Sequence, residues 1–162
     1  MLVPFNTIPD DARVWVYQSD RRFDDNESRQ CLLQTEKFIN DWTAHQADLK
    51  AGVQVLFNRF IVIAVDSNFN EASGCSIDKK VNFIKQLGAH LNADFFNRMN
   101  IAFIDGDLIQ VSDMHVFAEK IKTGKLSDNT IMFNNLVSTA KEFNESWKIQ
   151  VKNSWMHQLV AS

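Results

Sequence analysis

Six consecutive residues from Phe60 to Val65, Phe-Ile-Val-Ile-Ala-Val, carry no polar side chain. Side chains along a strand alternate between the two faces of its sheet, so a run apolar on both faces needs both faces covered. It is far too short to cross a membrane, which takes about 20 residues. The run therefore predicts the central strand of a buried sheet. "VQVLF" (Val53 to Phe57) precedes it and is interrupted by polar Gln54, as an edge strand allows. The intervening Asn58-Arg59 predicts a two-residue hairpin turn. "RVWVYQS" (Arg13 to Ser19) is β-branched and aromatic and predicts another central strand.

Helical patterns separate these strands. From Asn26 to about His45, the residues Cys31, Leu32, Phe38, Ile39 and Trp42 recur at helical spacing, and Gly52 breaks the pattern. From Ser76 to Leu91, Ile77, Val81, Ile84, Leu87 and Leu91 form one apolar stripe. Upstream, "TIPDD" predicts a single helical turn with Thr7 as its cap. Downstream, "NIAFI" and "LIQVS" flank Asp105-Gly106-Asp107, a strong hairpin signal. "DMHVFAEKIKTG" predicts a short helix capped by Asp113 and stopped at Gly124. Further helices are expected over Ser138 to Trp147 and around Ser154 to Leu159. The order predicts an α+β class: a ferredoxin-like split β-α-β-β-α-β antiparallel sheet, then an extra strand and C-terminal helices. At 162 residues the chain fits a single domain over residues 1–162.

Charge and cysteine usage narrow the function. The 17 basic and 20 acidic residues are well mixed and sum to −3. Phosphate binding needs clustered Lys and Arg, so no nucleic-acid partner is expected. "MLVPFNTIPDD" lacks the basic and apolar segments of a signal peptide. Cys31 and Cys75 make no disulfide framework, so a cytoplasmic protein without a membrane partner is expected. Asp66-Ser67-Asn68-Phe69-Asn70 matches the first half of a calcium loop, but Glu71 stands where Gly is required and Ile77 where the bidentate Glu belongs. Asp105, Asp107, Asp113 and His115 read more simply as a hairpin turn followed by a helix cap. Neither a metal nor a cofactor is expected.

The stretch "AVDSNFNEASGCSID" (Ala64 to Asp78) comes nearest to a chemical site. Ser76 is expected as the N-cap of the second helix, with Cys75 just before it, where the helix dipole favours a thiolate. In the simpler reading Gly74 permits a turn, Ser76 caps, and Cys75 is a small buried apolar residue. That reading carries more weight, because no activating His and no second Cys at C-x-x-C spacing stands nearby. Asn68, Phe69, Asn70, Ser73, Gly74 and Ser76 are expected to line the main pocket. The amides near Ser76 and Ile77 would then hold the carboxylate or phosphate of a small ligand. Against this stands a plainer account, in which Phe69 folds into the core and the asparagines only close turns.

Four segments, "RVWVYQSDR", "FNEASGCSID", "FNNLV" and "NSW", together resemble a family of short, mostly uncharacterised bacterial cytosolic proteins often labelled "ABC transporter ATPase". The resemblance spans nearly the whole chain, with "ASGCSID" its most specific part, and it implies no catalytic residue. The label's chemistry has no support in the motifs. A phosphate-binding loop needs G-x-x-x-x-G-K-[ST], whereas Gly124-Lys125 has Glu119 at the first glycine position and Leu126 after the lysine. ATP hydrolysis is therefore rejected. The sequence as a whole predicts a non-catalytic module that binds a small anionic ligand or a protein partner, with a homodimer formed at an open sheet face or edge as one such partnership. The alternative is a thiol-dependent enzyme or redox sensor using Cys75.

Overall fold

In the computed structural model of the protein, which describes residues 1–161, the apolar run lies in the middle of a three-stranded antiparallel sheet. The chain passes through β1 (Arg13–Gln18), α1 (Asp25–Asn40), a small hairpin of β2 (Thr43–Ala44) and β3 (Ala47–Asp48), then β4 (Ala51–Leu56), β5 (Phe60–Val65) and α2 (Gly74–Leu91). The strand order is β1-β5-β4. All six residues of β5 are buried, as a run apolar on both faces requires. Ile61, Ile63 and Val65 join Ile39, Leu49, Ile84 and Leu87 in one core. Each large aliphatic side chain buried there contributes about 1.5–3 kcal/mol.

Local chemistry sets the element ends. Asp24 accepts a hydrogen bond from the Glu27 amide at 2.7 Å, and the Glu27 carboxylate accepts one from the Asp24 amide at 3.0 Å. This reciprocal cap starts α1. The helix stops at Asn40, short of the expected His45, because the chain turns back into β2 and β3 through His45 and Gln46, both at positive φ. The β4–β5 turn holds three residues, Phe57 to Arg59, rather than the expected two, with Phe57 and Asn58 in the left-handed region. Thr7 is not a cap: its hydroxyl donates to the Pro4 carbonyl at 2.6 Å, beside a single 3-10 turn at Phe5–Thr7.

The chain continues through β6 (Asn100–Asp105), β7 (Leu108–Asp113), α3 (Met114–Lys122), β8 (Ile131–Phe133), α4 (Ala140–Ser146), β9 (Lys148–Gln150) and α5 (Met156–Ala161). The α+β class holds. The ferredoxin-like sheet would need β6 beside β1; instead β6 pairs with β7 and β8 in a second sheet of order β7-β6-β8-β9. Gly106, at φ +62°, lets β7 fold straight back on β6, and the other edge of β6 goes to β8. Two compact units result: Met1–Phe96 with Leu136–Asn144, and Asn97–Asn135 with the chain from Glu145 onward. In the second, Ile101, Phe103, Phe117, Ile121, Met132 and Met156 share a core. No described helix is long and apolar enough to cross a membrane.

Within the first unit the edge of β1 is met by the returning segment. The Val14 amide donates to the Ser138 carbonyl at 2.9 Å, and the Ala140 amide to the Ala12 carbonyl at 2.9 Å.

Candidate functional site

In the loop after β5, side chains are spent on the loop's own backbone and its neighbours. Asp66 accepts a hydrogen bond from the Asn68 amide at 3.0 Å and lies 3.5 Å from the Lys50 ammonium. The Asn68 amide group donates to Asp11 at 2.9 Å, and that of Asn70 to the Asp48 carbonyl at 2.8 Å. Phe69 stays out of the core and is 46% exposed. The helix N-cap is Ser73, not Ser76: the Ser73 hydroxyl accepts from the Ser76 amide at 3.2 Å. Ser76 is buried one turn in, its own hydroxyl donating to the Ser73 carbonyl at 2.8 Å. Gly74 opens the helix, and a Cβ there would meet open space. Cys75 sits in that first turn and is exposed.

The other residues weighed for metals serve structure. Asp113 caps α3 by accepting from the His115 amide at 2.8 Å, and Asp105 accepts from the Gln110 side chain at 3.4 Å. Among the described residues no group of three or more His, Cys, Asp or Glu is placed to hold a metal ion.

One turn beyond Ser76, Lys80 is fully buried, and its ammonium nitrogen has no hydrogen-bond partner among the described residues. The nitrogen lies 3.4 Å from the centre of the Trp15 ring and 5.3 Å from that of Tyr17. Burial, and secondarily the charge of Arg13, push its pKa down to about 6. The indole face attracts a cation and opposes that shift without replacing the lost hydration. Trp15 meets Trp42 edge to face at 6.4 Å, and the Trp42 indole donates to the Ser76 carbonyl at 2.8 Å. "DKKVNF" reads as solvated charge, yet Lys80 lies four residues from both Ser76 and Ile84. The buried stripe runs through all three, with Ile77 and Val81 only half-buried beside it. That spacing is the signal by which Lys80 could have been found.

Along β4, on the first unit's surface, backbone hydrogen-bonding potential is left unmet. The Asp66 amide donates to the Lys50 carbonyl, so Lys50 faces β5 and the alternation turns Ala51, Val53 and Val55 outward. At Ala51 the N-terminal segment fills the edge: its amide donates to the Met1 carbonyl at 3.0 Å, and its carbonyl accepts from the Val3 amide at 2.9 Å. Pro4, which has no N–H, follows, and the chain bends into the 3-10 turn. Beyond that point the outward N–H and C=O groups of Val53 and Val55 have no partner among the described residues. On β1 only Val16 is left in this way past Val14, a single residue's length.

A groove of about 700 Å³ runs along the open part of β4. Residues Val53 to Leu56 form its floor, Leu32 and Glu36 of α1 one wall, and residues Leu2 to Asn6 the other. Glu36 is its only charged lining residue, half-buried, with no ion pair among the described residues. None of the loop residues Asn68 to Ser76 lines it. Comparison with models of known protein families finds none that matches this chain, and searches of curated proteins and of solved structures likewise return no significant match.

Proposed function

We propose that this chain is a non-catalytic interaction module that takes an extended segment of a protein partner as an added strand on β4. One observation carries the reading: two successive outward-facing residues, Val53 and Val55, offer unmatched backbone donors and acceptors at the floor of a walled groove. Strand addition uses such an edge, with main-chain hydrogen bonds supplying affinity and flanking pockets supplying selectivity. An edge left open in water is a liability that proteins usually cover, and at Ala51 this chain does cover it. A small anionic ligand at the α2 start is the weaker reading, because Asn68, Asn70 and Ser73 already have partners.

Hydrogen exchange tests this reading. In the purified protein the Val53 and Val55 amides should exchange fast, while those of Gln54 and Leu56, bonded to β5, stay protected. Segments selected from a random peptide library should protect Val53 and Val55, and Val55→Pro should stop their binding. Binders indifferent to Val55→Pro would overturn the reading. So would slow exchange at both valines in a sample that light scattering shows to be a dimer, since the edge would then belong to a second copy.

A further inference from the structure

We infer that the segment received on β4 is an apolar strand carrying one basic residue two positions from an apolar one, the base set against Glu36 and the apolar side chain against Leu32. This rests on the strand-addition reading and names its partner. A strand laid on β4 alternates its side chains between the two walls of the groove. On the α1 side it meets Val53, Val55, Leu32 and Glu36. Leu32 and Glu36 are four residues apart, one helical turn, which places them about 6 Å apart along the axis. Residues i and i+2 of a strand are separated by about 6.6 Å. A strand can thus present one side chain to each, and the chemistry of the wall decides which.

Leu32 asks for an apolar contact. Glu36 brings a carboxylate into the groove without a cation to meet it. Burying that carboxylate under a neutral strand would leave a charge unpaired, while a Lys or Arg makes a charge-assisted pair. Such a pair gives selectivity through the penalty on the wrong charge more than through raw affinity. The opposite wall, with Phe5 and Asn6, accepts mixed side chains and sets no comparable demand.

The groove is short. Four floor residues span about 13 Å, enough for a segment of four or five residues and too little for a long sheet extension. Walls on both sides favour a lone segment over the edge of a second folded copy.

The test uses seven-residue acetylated, amidated peptides with a Val-Thr-Lys-Thr-Val centre, the same peptide with Glu for Lys, and one with Gln. Binding is read by fluorescence anisotropy to the full chain and to Glu36→Lys and Glu36→Gln. The unaltered chain should prefer the Lys peptide over the Glu peptide by about tenfold or more at low salt, narrowing as salt rises. Glu36→Lys should reverse the order, and Glu36→Gln should remove it. If all three peptides bind equally to every variant, yet Val55→Pro abolishes binding, the charge assignment is wrong and strand addition stands. If none binds while library-selected segments protect Val53 and Val55, the partner pattern is again wrong. If nothing binds and those amides stay unprotected, the strand-addition reading itself fails.

Discussion

The loop from Asp66 to Ser76 and the outer edge of β4 differ in what their polar groups do. In the loop, Asp66, Asn68, Asn70 and Ser73 each have a hydrogen-bond partner within the first unit. Along β4, the outward backbone groups of Val53 and Val55 have none, although their side chains are apolar and look unremarkable in sequence. A polar side chain advertises chemistry it has already spent. A valine conceals backbone chemistry it still holds. What a site can bind follows from the unsatisfied groups, and those are set by pairing across the fold rather than by residue type.

The sharpest way to break the comparison uses proline on β4. Gln54 bonds to β5 opposite Val62, so Gln54→Pro removes a ladder hydrogen bond and should cost about 3 kcal/mol or more. Val55→Pro removes an outward N–H that takes no part in the ladder, with some packing of the half-buried Val55 side chain, and should cost roughly 1 kcal/mol. Urea unfolding of the two variants measures the gap. Equal costs would mean that the outward assignment of Val53 and Val55 is wrong.

Lys80 is a third case, unsatisfied and buried. Its pKa is held near 6 in the folded chain against an ordinary value of 10.5. Between those values the unfolded chain binds the proton that the folded one lacks, so the Lys80 contribution to stability rises with pH from about 6 to 10.5, opposed above 9.0 by Cys31, whose proton the folded chain keeps. Below pH 6 both forms are protonated and the slope vanishes. Replacing the amine by a methyl thioether of similar shape removes this cost, and Lys80→Met should gain about 3 kcal/mol at pH 7 and lose the rise in stability between pH 6 and 9. Thermal unfolding from pH 5 to 10 reads both. A slope unchanged in Lys80→Met would assign it to another group.

Removing a satisfied loop group should cost less and leave binding alone. Asp66→Ala loses the Asn68 turn and the Lys50 pair, at about 1–2 kcal/mol. Ser73→Ala loses the cap of α2, at about 1 kcal/mol. Neither should change the affinity of a strand-adding peptide. A tenfold loss of affinity in either variant would place the loop in the site after all.

The comparison also explains what could be read in the sequence. β5, α1, α2 and the capped start of α3 were legible because a continuous apolar run, a 3.6-residue stripe and a capping Asp are local signals. The β2–β3 hairpin was hidden because its turn uses His45-Gln46 instead of Asn-Gly. The division into two sheets was hidden because nothing local tells β6 to pair with β8 rather than β1. The loop was legible as polar but not as satisfied, since the partners of Asn68 and Asn70 lie at Asp11 and Asp48, far along the chain. The open edge depends on where Pro4 turns the chain away from β4 after residues 1–3 have paired with Ala51, and a list of residue types does not carry that.

The smallest expected effect contrasts the two thiols. Cys31 is fully buried on α1, and burial pushes its thiol up to about 12. Cys75 is exposed in the first turn of α2, with open space around the neighbouring Gly74. Since the thiolate is the reactive form and access is needed as well, iodoacetamide at pH 7.5 should modify one thiol per folded chain, at Cys75. Cys31 should react only on unfolding. Cys75→Ser should shift stability by less than about 0.5 kcal/mol, because an exposed side chain without partners has little to lose. The alkylated chain should also bind the Lys peptide unchanged, because Cys75 does not line the β4 groove. A labelled chain that lost this binding would tie the start of α2 to the β4 edge, and the loop would regain the role that its hydrogen bonds deny it.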